Sequence, residues 1–207
     1  MISKEILQAH YREYASQPDV WVENMTVTKR SIVRYVLTHT GFRPQLQNGL
    51  TRIVVMGASD KRYIPIHQAI FTDLLEQRVQ VTTLDIDAEH LQGGEGVVEH
   101  DITQLFPHPP YGIVFSHELM KFLTPEEQLQ AIKNSYHALT GNGLVMHIMH
   151  SPSIKGTAEL RPWQYRVNPD ALVAQLSREG VPAQKIVFES ESSIDWLKET
   201  TVITIQK

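Results

Sequence analysis

The chain has 207 residues, of which 42% are apolar and 20% charged, with a net charge of −4 and no cysteine. This size and balance fit one soluble globular domain with a sizeable core and exclude a disordered chain. Disulfides and thiolate metal sites are excluded too, and no Lys/Arg cluster dominates, so nucleic acid is not an expected partner.

No apolar run nears the roughly 20 residues that a membrane-crossing helix needs. The opening stretch MISKEILQAHYREYAS carries charges throughout and lacks the apolar centre of a signal peptide. These absences set the expectation of a cytoplasmic protein without a membrane partner; the oligomeric state is not legible.

Residues 3–16 read as a helix with Ile6, Leu7, His10, Tyr11 and Tyr14 on one face. Gln17-Pro18-Asp19 breaks it. A second helix is predicted over residues 28–39, with Ile32, Val33, Val36 and Leu37 inward, and Gly41 to Gly49 is a polar connector. Strands and helices then alternate. Ile53–Met56 is a strand ending at Gly57; residues 65–77 are a helix; Val79–Leu84 is a strand ending in Asp85; residues 88–92 form a short helix. Val97–Glu99 is a strand followed by Asp101, and Gly112–Phe115 is one followed by Ser116 and His117. Residues 125–139 form a helix with Thr124 as N-cap, Pro125 at its first position and Glu127 completing a capping box. Gly141-Asn142-Gly143 stops it, and Leu144–Met149 is the fifth strand. Asn168-Pro169-Asp170 opens a last helix that Gly180 closes. Lys185–Glu189 and Thr201–Ile205 have no helix-length crossover between them and are expected to pair antiparallel.

The pattern implies an α/β fold: a doubly wound, mostly parallel sheet with a C-terminal antiparallel hairpin. The whole chain is one domain, with residues 1–45 a helical lid and residues 50–207 the α/β core. Right-handed crossovers put the ligand at the strand ends, under the two N-terminal helices.

Asp85 stands directly after a strand, 28 positions beyond Gly57. A carboxylate there can accept both ribose hydroxyls of a nucleoside, since it is acceptor-only and takes two donors at once. The competing reading is a helix cap or solvated loop acid. Gly57 lets the chain leave its strand close to a ligand. Beyond it stand Ala58, Ser59, Asp60, Lys61, Arg62 and Tyr63, where a phosphate-binding loop would carry more glycines. Lys61 and Arg62 either meet a ligand carboxylate near the helix start or sit on a solvated turn. Asp101 is either an adenine-amino acceptor or a turn acid.

These segments resemble the class I S-adenosylmethionine-dependent methyltransferases. IVVMGASD is similar to the family's first motif, TLDID to its ribose-binding strand end, and VVEHDI to its adenine-flanking strand end. PYGIVFSHELMKFLTPEEQLQAIKNSYHALTGNGLVMHI resembles the fourth strand, following helix and fifth strand, and HYREYA the lid helix of small-molecule members. The resemblance covers residues 50–150 and implies a seven-stranded Rossmann-like sheet with the last strand antiparallel. It implies S-adenosylmethionine as cofactor, held by Gly57, Ala58, Ser59, Asp85, Ile86, Asp101, Ile102 and Ser116. It further implies in-line transfer of a methyl group to a small molecule, with Tyr11 and Tyr14 at the acceptor. Two departures stand out. The family's acid two residues before the first glycine is Val55 here, and its later glycines are Ser59 and Lys61. The alternative is a catalytically silent member that keeps the fold and binds a ligand or partner.

His108-Pro109-Pro110-Tyr111 looks like an amino-methyltransferase motif but precedes the fourth strand rather than following it. An NAD(P) oxidoreductase would need a tyrosine four residues before a lysine, and no tyrosine here has one. His117, His147 and His150 are candidates for a general base, neutral histidine being suited to that work near pH 7. The bland readings are a core histidine for His147 and a loop histidine for His150. Arg161, Trp163 and Tyr165 are candidates for an acceptor pocket, the two aromatics equally for loop packing. No HxH or HExxH spacing suggests a metal.

Overall fold

The computed structural model describes residues 3–46, 48–91, 94–154, 160–189 and 199–207. Seven strands form one sheet: β1 (Thr51–Met56), β2 (Val79–Asp85), β3 (Val97–Glu99), β4 (Tyr111–His117), β5 (Leu139–His150), β6 (Ala183–Glu189) and β7 (Glu199–Gln206). Their spatial order is β3-β2-β1-β4-β5-β7-β6. The first five run parallel, and β7 is antiparallel to both of its neighbours.

Helices cover both faces. α1 (Lys4–Ala15) and α2 (Asp19–Thr40) precede β1; α3 (Tyr63–Leu75) links β1 to β2; α4 (Pro125–His137) precedes β5; the single turn α5 (Ser151–Ile154) and α6 (Pro169–Arg178) precede β6. One core lies between the sheet and α4 and α6, joining Val54, Val114 and Val145 to Ile132 and Leu176. The other joins Ile53, Val55, Ile113 and Phe115 to Phe71 of α3 and to Ile32, Val33 and Val36 of α2. Adjacent residues of β1 thus point to opposite cores, as strand pleating requires. Among the described residues no helix is long and apolar enough to cross a membrane.

The capping signals act as the sequence implies. Thr124 Oγ1 accepts from the Glu127 amide at 3.3 Å, and Glu127 Oε2 accepts from the Thr124 amide at 2.9 Å. The Asn168 side chain caps α6 by accepting from the Ala171 amide at 3.1 Å.

Two elements differ from the sequence expectation. α2 begins at Asp19, nine residues earlier than residue 28. Its extra turns carry Asn24, Thr26 and Thr28, weak helix formers. Thr26 and Thr28 satisfy their hydroxyls by donating to the carbonyls of Val22 and Asn24, 2.8 and 3.0 Å away. Only the first half of α2 faces the ligand edge; the second half belongs to the sheet-face core. In addition, Gly141-Asn142-Gly143 does not stop α4, which ends at His137. It lies inside β5, where the pairing with β4 shifts register between Tyr111 and Ile113. Leu139 already pairs with Tyr111, and the irregularity absorbs the glycines.

Candidate active site

The chain order reverses beside β1, which has β2 on one side and β4 on the other. That switch point opens a crevice beyond the C-terminal strand ends, where open α/β sheets bind ligands. Gly57 leaves β1 with φ +73°, and its amide donates to the Leu84 carbonyl at 2.7 Å. Its positive φ favours glycine, and a Cβ there would also crowd a terminal methyl of Leu119 at 3.1 Å.

Asp85, at the end of β2, is 5% exposed. Its Oδ2 accepts from the Ala58 amide at 3.0 Å, and its Oδ1 from the Tyr11 hydroxyl at 3.0 Å and the Asp87 amide at 3.3 Å. Burial pushes its carboxyl pKa up, against the opposing pull of these donors and of His90. Burial and the adjacent Asp85 likewise push the Tyr11 hydroxyl up, so it stays a donor. The His90 ring stacks on Tyr11 with centroids 3.4 Å apart and Nε2 2.8 Å from the Ala58 carbonyl, which locks the turn to α1.

The absent glycines have a structural counterpart. Buried Asp60 accepts from the Arg62 amide at 2.8 Å and from its guanidinium at 2.8 and 2.5 Å. The same guanidinium donates to the carbonyls of Tyr14 and Gln17 and to Asp19 at 2.7–3.2 Å. A side-chain clasp therefore shapes the turn and fastens it to the α1–α2 junction. This commits Arg62 to the protein rather than to a ligand carboxylate, and Lys61 is exposed.

Two adjoining cavities fill the crevice. The smaller, of about 110 Å³, is lined by Tyr11, Asp85, Ile86, His100, Asp101 and Ile102, among others. The larger, of about 340 Å³, reaches Tyr14, Lys29, His67, His117, Glu118 and His150. His10, Gly57, Ala58, Ser59, Leu119 and Phe122 line both. Leu119 and Phe122 reach this seam because Glu118, with φ +57°, turns the chain sharply out of β4. Glu118 is held by donors from the His150 amide, Lys121 and Ser153, at 2.5–2.7 Å.

No protein-family model matches the chain, and no curated protein matches it by sequence. Solved structures do. The N-methyltransferase NodS from Bradyrhizobium japonicum, in complex with S-adenosyl-L-homocysteine, superposes with a TM-score of 0.61 at 12% identity, covering 98% of this chain and 97% of that one. The plantazolicin methyltransferase BpumL, also in complex with S-adenosylhomocysteine, gives 0.60 at 12% identity over 98% and 96%. DhpI with the same ligand gives 0.59 at 16% identity over 97% and 92%. The fold is that of the S-adenosylmethionine-dependent methyltransferases.

On this methyltransferase fold the expected residues fall into two groups. Gly57, Ala58, Ser59, Asp85, Ile86, Asp101, Ile102 and Tyr11 all line the smaller cavity; Tyr14, His117 and His150 line the larger. Asp101 also closes its own turn, accepting from the Thr103 amide and hydroxyl at 2.9 and 2.8 Å, as its reading as a turn acid has it.

The others line neither cavity. Ser116 and His147 are wholly buried, with Ser116 Oγ 2.8 Å from His147 Nδ1, a core pair and not part of the cofactor or acceptor wall. Burial holds the His147 pKa down to about 3. Arg161 donates to Glu13 of α1 at 2.7 Å, and Trp163 packs behind Phe122 and His10. Tyr165 is exposed, its amide donating to the Lys121 carbonyl. Arg161 and Trp163 thus brace α1 from behind. Tyr111, from the proline-proline-tyrosine stretch, opens β4 at the end away from the crevice.

Geometry also revises the histidines' chemistry. His117 Nε2 lies 2.8 Å from His150 Nε2, and His150 Nδ1 lies 2.9 Å from Thr200 Oγ1. Burial pushes His117 well below its ordinary range, helped by the charge of Lys29, and holds His150 at about 4. Both rings are neutral at pH 7 but are weak bases, contrary to the expectation of a base poised near neutrality. Among the described residues no group of three or more His, Asp or Glu is placed to hold a metal ion.

Sequence reasoning missed His10, Lys29, His67, His90 and His100. The signal for Lys29 was present: Val22, Met25, Lys29, Ile32 and Val36 recur at helical spacing, so a lysine sits in an apolar stripe. Starting α2 at residue 28 concealed it.

Proposed function

We propose that the chain is a methyltransferase that uses S-adenosylmethionine and transfers the methyl group in line to a small molecule. The observation that carries this reading is Asp85, a buried strand-end carboxylate lining a cavity of about 110 Å³ that adjoins a second, larger one. The cofactor, when bound, supplies an electrophilic methyl group on a sulfonium sulfur.

The residues fit that cofactor. The smaller cavity has apolar walls from Leu84, Ile86, Ile102 and Leu119, suited to an adenine ring, with the carboxylates of Asp85 and Asp101 as acceptors. His10 Nδ1 and His100 Nε2, both on lining residues, are buried without a hydrogen-bond partner. Such atoms cost about 1–3 kcal/mol each unless a ligand or water meets them. The larger cavity then takes the acceptor, and the seam at Gly57, His10 and Phe122 is where donor and acceptor meet. With His117 and His150 weak bases, the work of the protein is chiefly holding the two reactants aligned and excluding water. One of the similar structures, the magnesium protoporphyrin IX methyltransferase of Synechocystis PCC 6803, is named for a small-molecule acceptor, which supports this class.

One observation favours a second reading, a silent ligand-binding member. Tyr11 already occupies Asp85 Oδ1. Calorimetric titration with S-adenosylmethionine and S-adenosylhomocysteine separates the two. Micromolar binding that Asp85→Ala weakens by on the order of 100-fold supports the enzyme reading, the loss expected for a doubly hydrogen-bonded carboxylate. No heat from either ligand, with a normal melting transition, overturns it.

A further inference from the structure

The larger cavity contains a charge without a counter-charge. Lys29 is 5% exposed, and its Nζ lies 3.3 Å from His67 Nε2 and 3.6 Å from the centre of the Tyr63 ring. Among the described residues no carboxylate comes within ion-pair distance of it. Glu118 is the one acidic residue among those lining the cavity, and both its oxygens are taken, one by the His150 amide and the other by Lys121 and Ser153. His67 Nδ1, on the same wall, is buried without a partner. The other polar lining residues, His10, Tyr14, Ser59, His117, Lys121 and His150, bring no further carboxylate, and Lys121 already pairs with Glu118. Much of the wall is apolar or aromatic, with Trp21, Met25, Phe115 and Phe122.

We propose that Lys29, with His67 beside it, holds an anionic group of the methyl acceptor, so that the acceptor is an apolar, aromatic-sized carboxylic acid. The inference rests on the reading that the acceptor enters this cavity. A buried ammonium is costly unless paired, and a carboxylate entering the cavity supplies the missing pair with a charge-assisted hydrogen bond. His67 Nε2 accepts from Lys29 and orients it, and Tyr63 supports the cation through its ring face. Burial alone holds Lys29 down to about 7, so an incoming anion also restores its full charge.

The carboxylate of the cofactor's methionine moiety has the same chemistry, and the test separates the two sources. Benzoate and its neutral counterpart benzamide are titrated by NMR into the protein alone and into protein saturated with S-adenosylhomocysteine. Benzoate is expected to bind about tenfold tighter than benzamide in both states, and Lys29→Met should bring the ratio to about one while preserving S-adenosylhomocysteine affinity. Lys29→Gln makes the same comparison should the methionine variant misfold. Equal binding of the two probes, or a preference that survives in the variants, overturns the proposal. So does a preference abolished by S-adenosylhomocysteine and matched by loss of its affinity in the variants, which assigns Lys29 to the cofactor. If S-adenosylhomocysteine does not bind at all, the cofactor reading fails, and the benzoate preference of the protein alone still decides this one.

Discussion

The hydroxyl of Tyr11 donates to Oδ1 of Asp85 across 3.0 Å, on the carboxylate proposed to hold the ribose of the cofactor. The lid helix thus supplies an internal substitute for the ligand it covers. Tyr11→Phe removes the donor and keeps a ring to stack on His90. S-adenosylhomocysteine should bind roughly tenfold tighter to this variant, because a hydrogen bond to a charged group no longer has to be exchanged. Calorimetry reads this directly, and an unchanged or weaker affinity would show that the phenol does not compete.

The Asp60–Arg62 clasp replaces glycine flexibility with fixed bonds, so breaking it should loosen the turn and the lid together. Arg62→Met leaves buried Asp60 without its guanidinium and removes the side-chain donor from the carbonyls of Tyr14 and Gln17. A loss of about 1–3 kcal/mol of stability is expected. Amide exchange in α1 should quicken more than exchange in α4.

Acid should unfold this protein early. His10, His67, His117, His147 and His150 are all held below the ordinary histidine range, by burial first. Between an unfolded value of about 6.5 and their lowered folded values, the unfolded chain binds protons that the folded chain refuses. Stability is therefore present above pH 6.5 and lost as pH falls below it, each ring adding up to about 1.4 kcal/mol per pH unit. Urea midpoints from pH 7.5 to 4.5 should show this slope, and His147→Leu should make it shallower.

Lys29 predicts a trend on the alkaline side. Its folded pKa is lowered to about 7, so from there to about 10.4 the unfolded chain again holds an extra proton. Stability rises with pH through this window, by on the order of a few kcal/mol. His67, Tyr63, His117 and His150 face the same cavity, so the contribution is read as the difference between wild type and Lys29→Met, measured from pH 7 to 10. The two stability curves should converge as pH rises, and parallel curves would refute a lowered Lys29.

What the sequence made legible, and what it hid, follows from how each residue reaches the crevice. Gly57, Asp85 and Asp101 sit at strand ends, and in a parallel sheet the topology alone carries strand ends to one edge. Lys29, His67 and His10 arrive from three different helices, and only tertiary packing sets which way those helices face. Ser116 and His147 misled because a strand-end position does not say which way a side chain points; both turn into the core. The clasp that replaces the glycine loop joins Asp60 to Arg62, two residues apart, yet its purpose appears only once Asp19 and Gln17 are seen beside it.

α2 runs unbroken for 22 residues, about 33 Å, and lines the larger cavity only in its first half, at Trp21, Met25 and Lys29. A straight helix transmits displacement along its length. Trp21 and Met25 therefore cannot swing away without dragging Ile32 and Val36 out of a close-packed layer. α1 joins α2 through Ser16-Gln17-Pro18, whose Gln17 carbonyl accepts from Arg62. α1 is fastened differently, by separate side-chain bonds from Tyr11 to Asp85, from Arg161 to Glu13 and from Arg62 to the Tyr14 and Gln17 carbonyls, so the two N-terminal helices differ in what would have to break for each to move.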